Sequence, residues 1–439
     1  MNFEEIYQSK KCTPEQAVSG IEDHSNIVTS SQPMALLKAL FANKEKYSDL
    51  HLYAQLGFTP GPDEMATVFS PDAEGHISYD VSFIHMGEQK AKSAGRRIDH
   101  LVAHFSEVEA FFAERIKPAY YLGHVAPMDE EGFFSMGTIP GPARIAVDMG
   151  AKAIVQVNPH MPMMNTDYNK VHISEVEALV EVDKEIFDSP FIPPGDKEKT
   201  IAGYLVERIP NGATLQFGVG ALPGAVGMFL ENHRDLGIHT ETFTYVSKSL
   251  MEKGVVNNSK KTIYPGQSIA AFADADRATF DFIHRNKDVL FKQMSWVNNP
   301  YNIAKNDNMI SINSCLSVDL RGQVCSESLG TGVTGGSGGQ LDFVRGARMS
   351  KGGQSYISMH STVEKKDGTR ISKIVMTLTE GSIVTVPRND VMNIVTEYGI
   401  AELTHRSLKE KALALISIAH PDFRDELMFQ AKKNGYLLY

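Results

Sequence analysis

Leu215-Gln216-Phe217-Gly218-Val219-Gly220-Ala221-Leu222-Pro223-Gly224 runs from a β-prone stretch through a glycine turn towards a helix expected over 225–232. Strand, tight turn and helix in that order are the building unit of α/β proteins. The glycines allow a ligand to approach the backbone closely, and a helix start offers free N–H groups to an anion or oxyanion. The spacing is GxGxxxG. A dinucleotide fingerprint would need glycine at 223, where proline stands. Taken alone, the motif fits a ligand-binding loop and a tight structural turn about equally.

The same alternation extends outward in both directions. Leu50–Leu56, Ala119–Val125, Ala153–Val157, Met309–Ile312, Ser355–Met359, Lys373–Leu378 and Ile383–Val386 are short β-prone runs. Between some of them lie amphipathic helical patterns, at Met34–Tyr47, Val102–Glu114 and Leu408–Ile418. Thr13-Pro14-Glu15-Gln16 has the form of a capping box with proline at the first helical position. The pattern predicts an α/β fold with largely parallel or mixed sheets. Pro190, Pro193, Pro194 and Gly195 interrupt it before the charged run Asp196–Lys199, so two α/β domains are expected, 1–195 and 196–439.

The chain has 439 residues, 42% of them hydrophobic, enough for a large core. With 43 basic and 53 acidic side chains its formal charge is −10, which disfavours nonspecific nucleic-acid binding. The apolar runs are too short or too broken by glycine to cross a bilayer, and residues 1–8 lack the features of a signal peptide. Three cysteines, Cys12, Cys315 and Cys325, with no CxxC pair, fit a reducing cytoplasm and argue against a zinc site or a disulfide framework. A cytoplasmic protein without metal is the expectation.

Two further stretches carry candidate chemistry. Gly330–Gln340 holds six glycines, an entropic cost that favours a ligand-cradling loop over a linker. Arg345, Arg348 and Lys351 lie just beyond it as a source of positive charge. In Gly237-Ile238-His239-Thr240-Glu241-Thr242-Phe243, Glu241 is a lone carboxylate that suits a buried nucleophile, a general base or a surface loop, and His239 either a base or a packed or solvent-exposed side chain. Serine-hydrolase, zincin and P-loop motifs are absent.

The ordered set LQFGVG (215–220), GIHTE (237–241), NDNM (306–309), SINS (311–314), VDL (318–320), GQV (322–324), SGGQLDF (337–343), RGA (345–347), TEYGIAEL (396–403) and AHPDFR (419–424) resembles class I coenzyme A transferases. The resemblance is to the acetyl-CoA hydrolase/transferase family, in the branch of 4-hydroxybutyrate and butyrate CoA-transferases. PMDEEGFFS (127–135) and VNPHMP (157–162) extend it into the N-terminal half.

The resemblance implies two similar open α/β domains with the active site between them, and a homo-oligomer, dimer or tetramer. It makes Glu241 the catalytic nucleophile. It puts CoA contacts at Gly218, Val219, Gly220, Ala221, Leu222, Gly335, Gly339 and Gln354. At Gln354 the family often has lysine, so a neutral amide replaces a cation there, and Lys351 or an arginine is a candidate to compensate. Met34, Glu64 and Gln216 are expected to shape the acyl pocket, with core methionine and surface glutamate the plain alternatives for the first two.

Such an enzyme would move CoA from acetyl-CoA or succinyl-CoA to butyrate, 4-hydroxybutyrate or itaconate through glutamyl-anhydride and glutamyl-CoA thioester intermediates. It would need no cofactor beyond the substrate CoA. A glutamate, with an ordinary pKa of ~4.3, would already be ionised and would need positioning more than a base. The alternatives are an acyl-CoA hydrolase and a noncatalytic acyl-CoA sensor.

Overall fold

The computed structural model describes residues 2–187, 189 and 191–437. It divides into two compact units, Met1–Ser189 with Ala270–Trp296, and Pro190–Ile269 with Val297–Tyr439. Two unbroken domains, 1–195 and 196–439, differ from these units chiefly in the segment Ala270–Trp296, which groups with the first unit. Backbone hydrogen bonds fix it there: Ala273 N–H donates to Thr138 C=O at 2.9 Å, Arg285 to Met163 at 2.8 Å and Phe291 to Asn165 at 2.9 Å.

The first unit is built on β1 (Asn26–Ser30), β2 (Leu50–Leu56), β3 (Ile77–Phe83), β4 (Ile98–His100), β5 (Tyr120–Val125), β6 (Lys152–Val157) and β7 (Val176–Glu181). They pair in the order β4-β3-β2-β1-β5-β6-β7, all parallel. β5 is buried at all six positions, as expected of a strand covered on both faces, and this is why it reads as a continuous run. The strand order reverses at β1, a topological switch point. Ligands of open α/β sheets bind beyond the C-terminal strand ends at such points. There the chain makes a turn in which Ser31 and Gln32 are both left-handed, with φ of 55° and 54°, before the helix Met34–Ala42.

In the second unit β8 (Thr214–Phe217), β9 (Gly237–Phe243), β10 (Met309–Ser314), β11 (Gln354–Ser358), β12 (Asn393–Thr396) and β13 (Gly399–Glu402) lie in the order β9-β8-β10-β11-β12-β13. All neighbours are parallel except the hairpin β12-β13. The switch point falls at β8, which plays the part that β1 plays in the first unit. The two units are therefore similar open α/β domains.

Several expected elements differ. Ile383–Val386 is not a strand, since only Val386 bridges, to Val324. Lys373–Leu378 contracts to Ile374–Val375. The pattern over Val102–Glu114 resolves into a 3-10 turn at Phe105–Glu107, a helical turn at Val108–Phe111 and a π-turn at Phe112–Ile116. The helix after the glycine turn begins at Ala221 rather than Ala225, because Pro223 falls in its first turn, where no N–H is needed. No helix among the described residues is long and apolar enough to cross a membrane.

Candidate active site

Glu241 is the fifth residue of β9, and the two-residue period of a strand puts it on the same face as His239. β8 pairs with β9 through Leu215↔Ile238, and extending that register sets Gly218 level with Glu241. The Thr240 hydroxyl donates to the Phe217 carbonyl at 3.3 Å and holds the two strand ends together. The expected nucleophile and the glycine turn thus share one sheet edge.

Two donors face the Glu241 carboxylate. The Asn298 side-chain amide donates to Oε2 at 2.6 Å, and the Gly339 backbone N–H donates as well. Burial pushes Glu241 up to about 7; the Asp342 carboxylate pushes in the same direction, and the two donors oppose it. This corrects the expectation of a fully ionised nucleophile, because near neutral pH the group is poised between its two forms. His239 is fully buried and does not face the carboxylate as a base: its Nε2 lies 2.8 Å from the Val297 carbonyl and its Nδ1 3.1 Å from the Asn306 amide.

The glycine turn is shaped for approach. Gly218 N–H donates to Ile312 C=O at 3.1 Å. Val219 is 57% exposed. Gly220 has φ of 122°, a region that L side chains avoid, and it caps the helix Ala221–Phe229. Ala221 and Leu222 form the first turn of that helix. Gly335 and Gly339 are buried, and Gly339 caps the helix Gln340–Met349.

The remaining expected residues divide: Gln354 lies away from the glycine turn, while Gln216 precedes it on β8, level with His239 when the register is extended. Gln354 begins β11 and sits level with Leu215 through Ile310, roughly 10 Å short of Gly218 along the strands. Its amide oxygen accepts from Asn393 at 3.1 Å. Lys351 is exposed and pairs with Asp307 at 3.6 Å, and Arg345 pairs with Asp390 at 3.2 Å. Gln216 is engaged in a reciprocal amide pair with Asn313, both bonds 3.2 Å.

In the first unit, Met34 opens the helix Met34–Ala42, and Glu64 lies in the short helix Pro62–Met65. The ion pair Lys38–Asp63 at 3.0 Å ties these helices together. Glu64 is buried, not a surface residue, and its carboxyl folds back over Gly61. Beside the Ser31-Gln32 turn is a cleft lined by Ser30, Gln55, Phe58 and Gly141. Gln55 is 2% exposed and neither end of its side-chain amide has a protein partner.

Residues 1–193 match the acetyl-CoA hydrolase/transferase N-terminal domain and residues 276–431 the acetyl-CoA hydrolase/transferase C-terminal domain. The chain belongs to the acetyl-CoA hydrolase/transferase family. It is 38% identical to a 4-hydroxybutyrate coenzyme A transferase of Clostridium kluyveri, over 99% of this chain and 100% of that protein. It is 35% identical to a succinyl-CoA:cyclohexane-1-carboxylate CoA transferase of Geobacter metallireducens, over 98% of this chain and 97% of the relative. Among solved structures, RipA from Yersinia pestis superposes with a TM-score of 0.92 at 34% identity, each chain covered completely.

Asn298 and Asp342 are the residues beside Glu241 that reading the sequence missed. Asn298, in Asn298-Asn299-Pro300, carries only a turn signal. Asp342 lay inside a quoted motif without a role. Both meet Glu241 only through the folding of the second unit.

Proposed function

We propose that this chain is a class I CoA-transferase that moves CoA from acetyl-CoA or succinyl-CoA to a short-chain carboxylic acid, butyrate, 4-hydroxybutyrate or itaconate, with Glu241 as the covalent carrier. The observation that supports this most is the Glu241 carboxylate held by Asn298 and Gly339 at the same sheet edge as Gly218.

The chemistry follows from the residue types. A Glu241 oxygen attacks the thioester carbonyl and expels CoA thiolate, leaving a glutamyl–acyl anhydride. The thiolate attacks the glutamyl carbonyl, releasing the donor acid as its carboxylate and leaving glutamyl-CoA. The acceptor carboxylate attacks that thioester, and the thiolate then takes the new acyl group, regenerating Glu241. No net proton is consumed. A carboxylate raised towards neutrality is more basic than a free glutamate, which strengthens it as a nucleophile, while the fixed amides around it require no reorganisation as charge moves. Backbone N–H groups at Val219 and Gly220 are candidates for the tetrahedral oxyanions. Contacts to the distant parts of CoA can be spent on the transition state of this small reaction.

The test is incubation with acetyl-CoA or succinyl-CoA without acceptor. A CoA-sized mass should appear on the peptide holding Glu241, and adding acid should discharge it to a new acyl-CoA. A label found only on cysteine overturns the mechanism. Steady CoA release with no acid added assigns a hydrolase, and no turnover with any acid, despite CoA binding, assigns a sensor.

A further inference from the structure

We propose that His239 is a positioning residue, acting through Val297 and Asn298 to hold the Asn298 amide on the Glu241 carboxylate. The inference deepens the transferase reading and rests on it.

His239 and Glu241 are two residues apart on one face of β9, so their Cα atoms are separated by roughly 7 Å. Val297 and Asn298 are consecutive, and each is bound by one of them: the Val297 carbonyl by His239 at 2.8 Å, and Glu241 by the Asn298 amide at 2.6 Å. The segment is therefore laid along β9 at two adjacent points. All four side chains that make or flank this seam, His239, Val297, Asn298 and Asn306, are 0% exposed.

The chemistry fixes the imidazole's role. A carbonyl only accepts, so His239 Nε2 must carry the proton. Burial, with the Lys261 ammonium nearby, holds the ring neutral by lowering its pKa to about 3, so Nδ1 is an acceptor. The Asn306 amide, 3.1 Å away, supplies the matching donor and fixes the tautomer. His239 and Asn306 lie in two of the quoted motifs, GIHTE and NDNM, and neither side chain takes part in the transfer steps themselves. Lys261 also bonds the Ile238 carbonyl at 2.9 Å, pinning β9 one residue earlier. The groups that act on Glu241 itself are Asn298, Gly339 and Asp342, and Asn298 is the one His239 can displace.

The experiment measures the rate of CoA-adduct formation at Glu241 against pH, by mass spectrometry on the full chain. His239→Asn and His239→Leu remove the donor to Val297, and His239→Gln keeps an amide N–H at a similar reach. Removing the donor should slow adduct formation by about ten- to a hundredfold near pH 7, the scale expected for a misplaced reacting group. It should also move the pH midpoint upward and leave the KM for acyl-CoA within about twofold, the tenfold step in rate being about 1.4 kcal/mol. His239→Gln should restore most of the rate. With Asn298→Ala in the background, adding His239→Asn should cost nothing more, because both act through one contact.

An unchanged midpoint, or losses that multiply in the double variant, overturns the proposal. Failure of both deletion variants to fold assigns His239 to the fold and also overturns it. Absence of any adduct in the unaltered chain instead refutes the transferase reading, and that is seen before any variant is made.

Discussion

Gly339 lies against Glu241 so closely that no side chain fits between them: a Cβ on Gly339 would overlap both Glu241 Oε2 and the Asn298 amide nitrogen. The glycine is there for space, and its N–H is one of the two donors to the carboxylate. Gly339→Ala should push the carboxylate off its donors and lower kcat by about a hundredfold. The KM for acyl-CoA should change less than kcat. Steady-state kinetics with near-normal circular dichroism checks this, and wild-type kcat would remove Gly339 from the site.

Gly220 is glycine for a different reason. Space around it is open, but its φ of 122° is strained for any L residue. Any substitution should lower stability by about 1–2 kcal/mol and also disturb the turn, so Tm and kcat/KM should fall together. Retention of Tm in Gly220→Val would contradict the strained geometry.

The titration of Glu241 sets two pH dependences. Catalysis needs the ionised form, so kcat/KM should rise with pH through a midpoint near 7. Stability runs the other way. Because the native pKa of about 7 exceeds the ordinary 4.5, the folded state holds the proton more tightly than the unfolded chain does. The stability associated with that proton is complete below 4.5 and is lost as pH rises through 7. Glu241→Gln cannot ionise, so its Tm should exceed wild type by a growing margin from pH 4.5 to 7 and by a constant margin above. Thermal melts across that range measure it, and parallel curves would mean an unshifted carboxyl.

Strands buried on both faces were legible where they leave uninterrupted apolar runs, as at Tyr120–Val125, whereas Asn26–Ser30, Ile77–Phe83, Val176–Glu181 and Gly237–Phe243 carry polar or charged residues and were not read as strands. Ile383–Val386 carried the same apolar signal but found only one bridging partner, for Val386, so composition misled there. The capping box at Thr13 formed as read, since both of its bonds are local. Glu241 stood out only through its motif, and its ambiguity as a lone carboxylate was real until β9 placed it. Asn298 was not legible. Its place beside Glu241 depends on a contact across 57 residues, and an asparagine two residues before a proline gives no sign of it. The grouping of Ala270–Trp296 with the first unit was hidden for the same reason, since backbone hydrogen bonds between distant segments leave no pattern in side chains.

Acid selectivity is expected to depend on the first unit. Met34 begins the helix that follows the left-handed Ser31-Gln32 turn at the β1 switch point, and Glu64 is buried on the helix tied to it by Lys38–Asp63. If these side chains meet the acyl group, Met34→Gly opens apolar volume and favours larger acids. One methylene is worth only ~1–3 kcal/mol, so preferences should shift by roughly tenfold to a few hundredfold while catalysis survives. An ionised Glu64 repels a second carboxylate, so Glu64→Val should improve itaconate relative to butyrate. A 4-hydroxyl that had bonded Glu64 should lose affinity in the same variant, because a lost partner at a polar site costs more than a lost methylene. The measurement is kcat/KM for acetate, butyrate, 4-hydroxybutyrate and itaconate in wild type and both variants. Ratios unchanged across the four acids would return Met34 and Glu64 to packing and place acyl recognition on other side chains, with the unpaired Gln55 amide the next to test by Gln55→Leu.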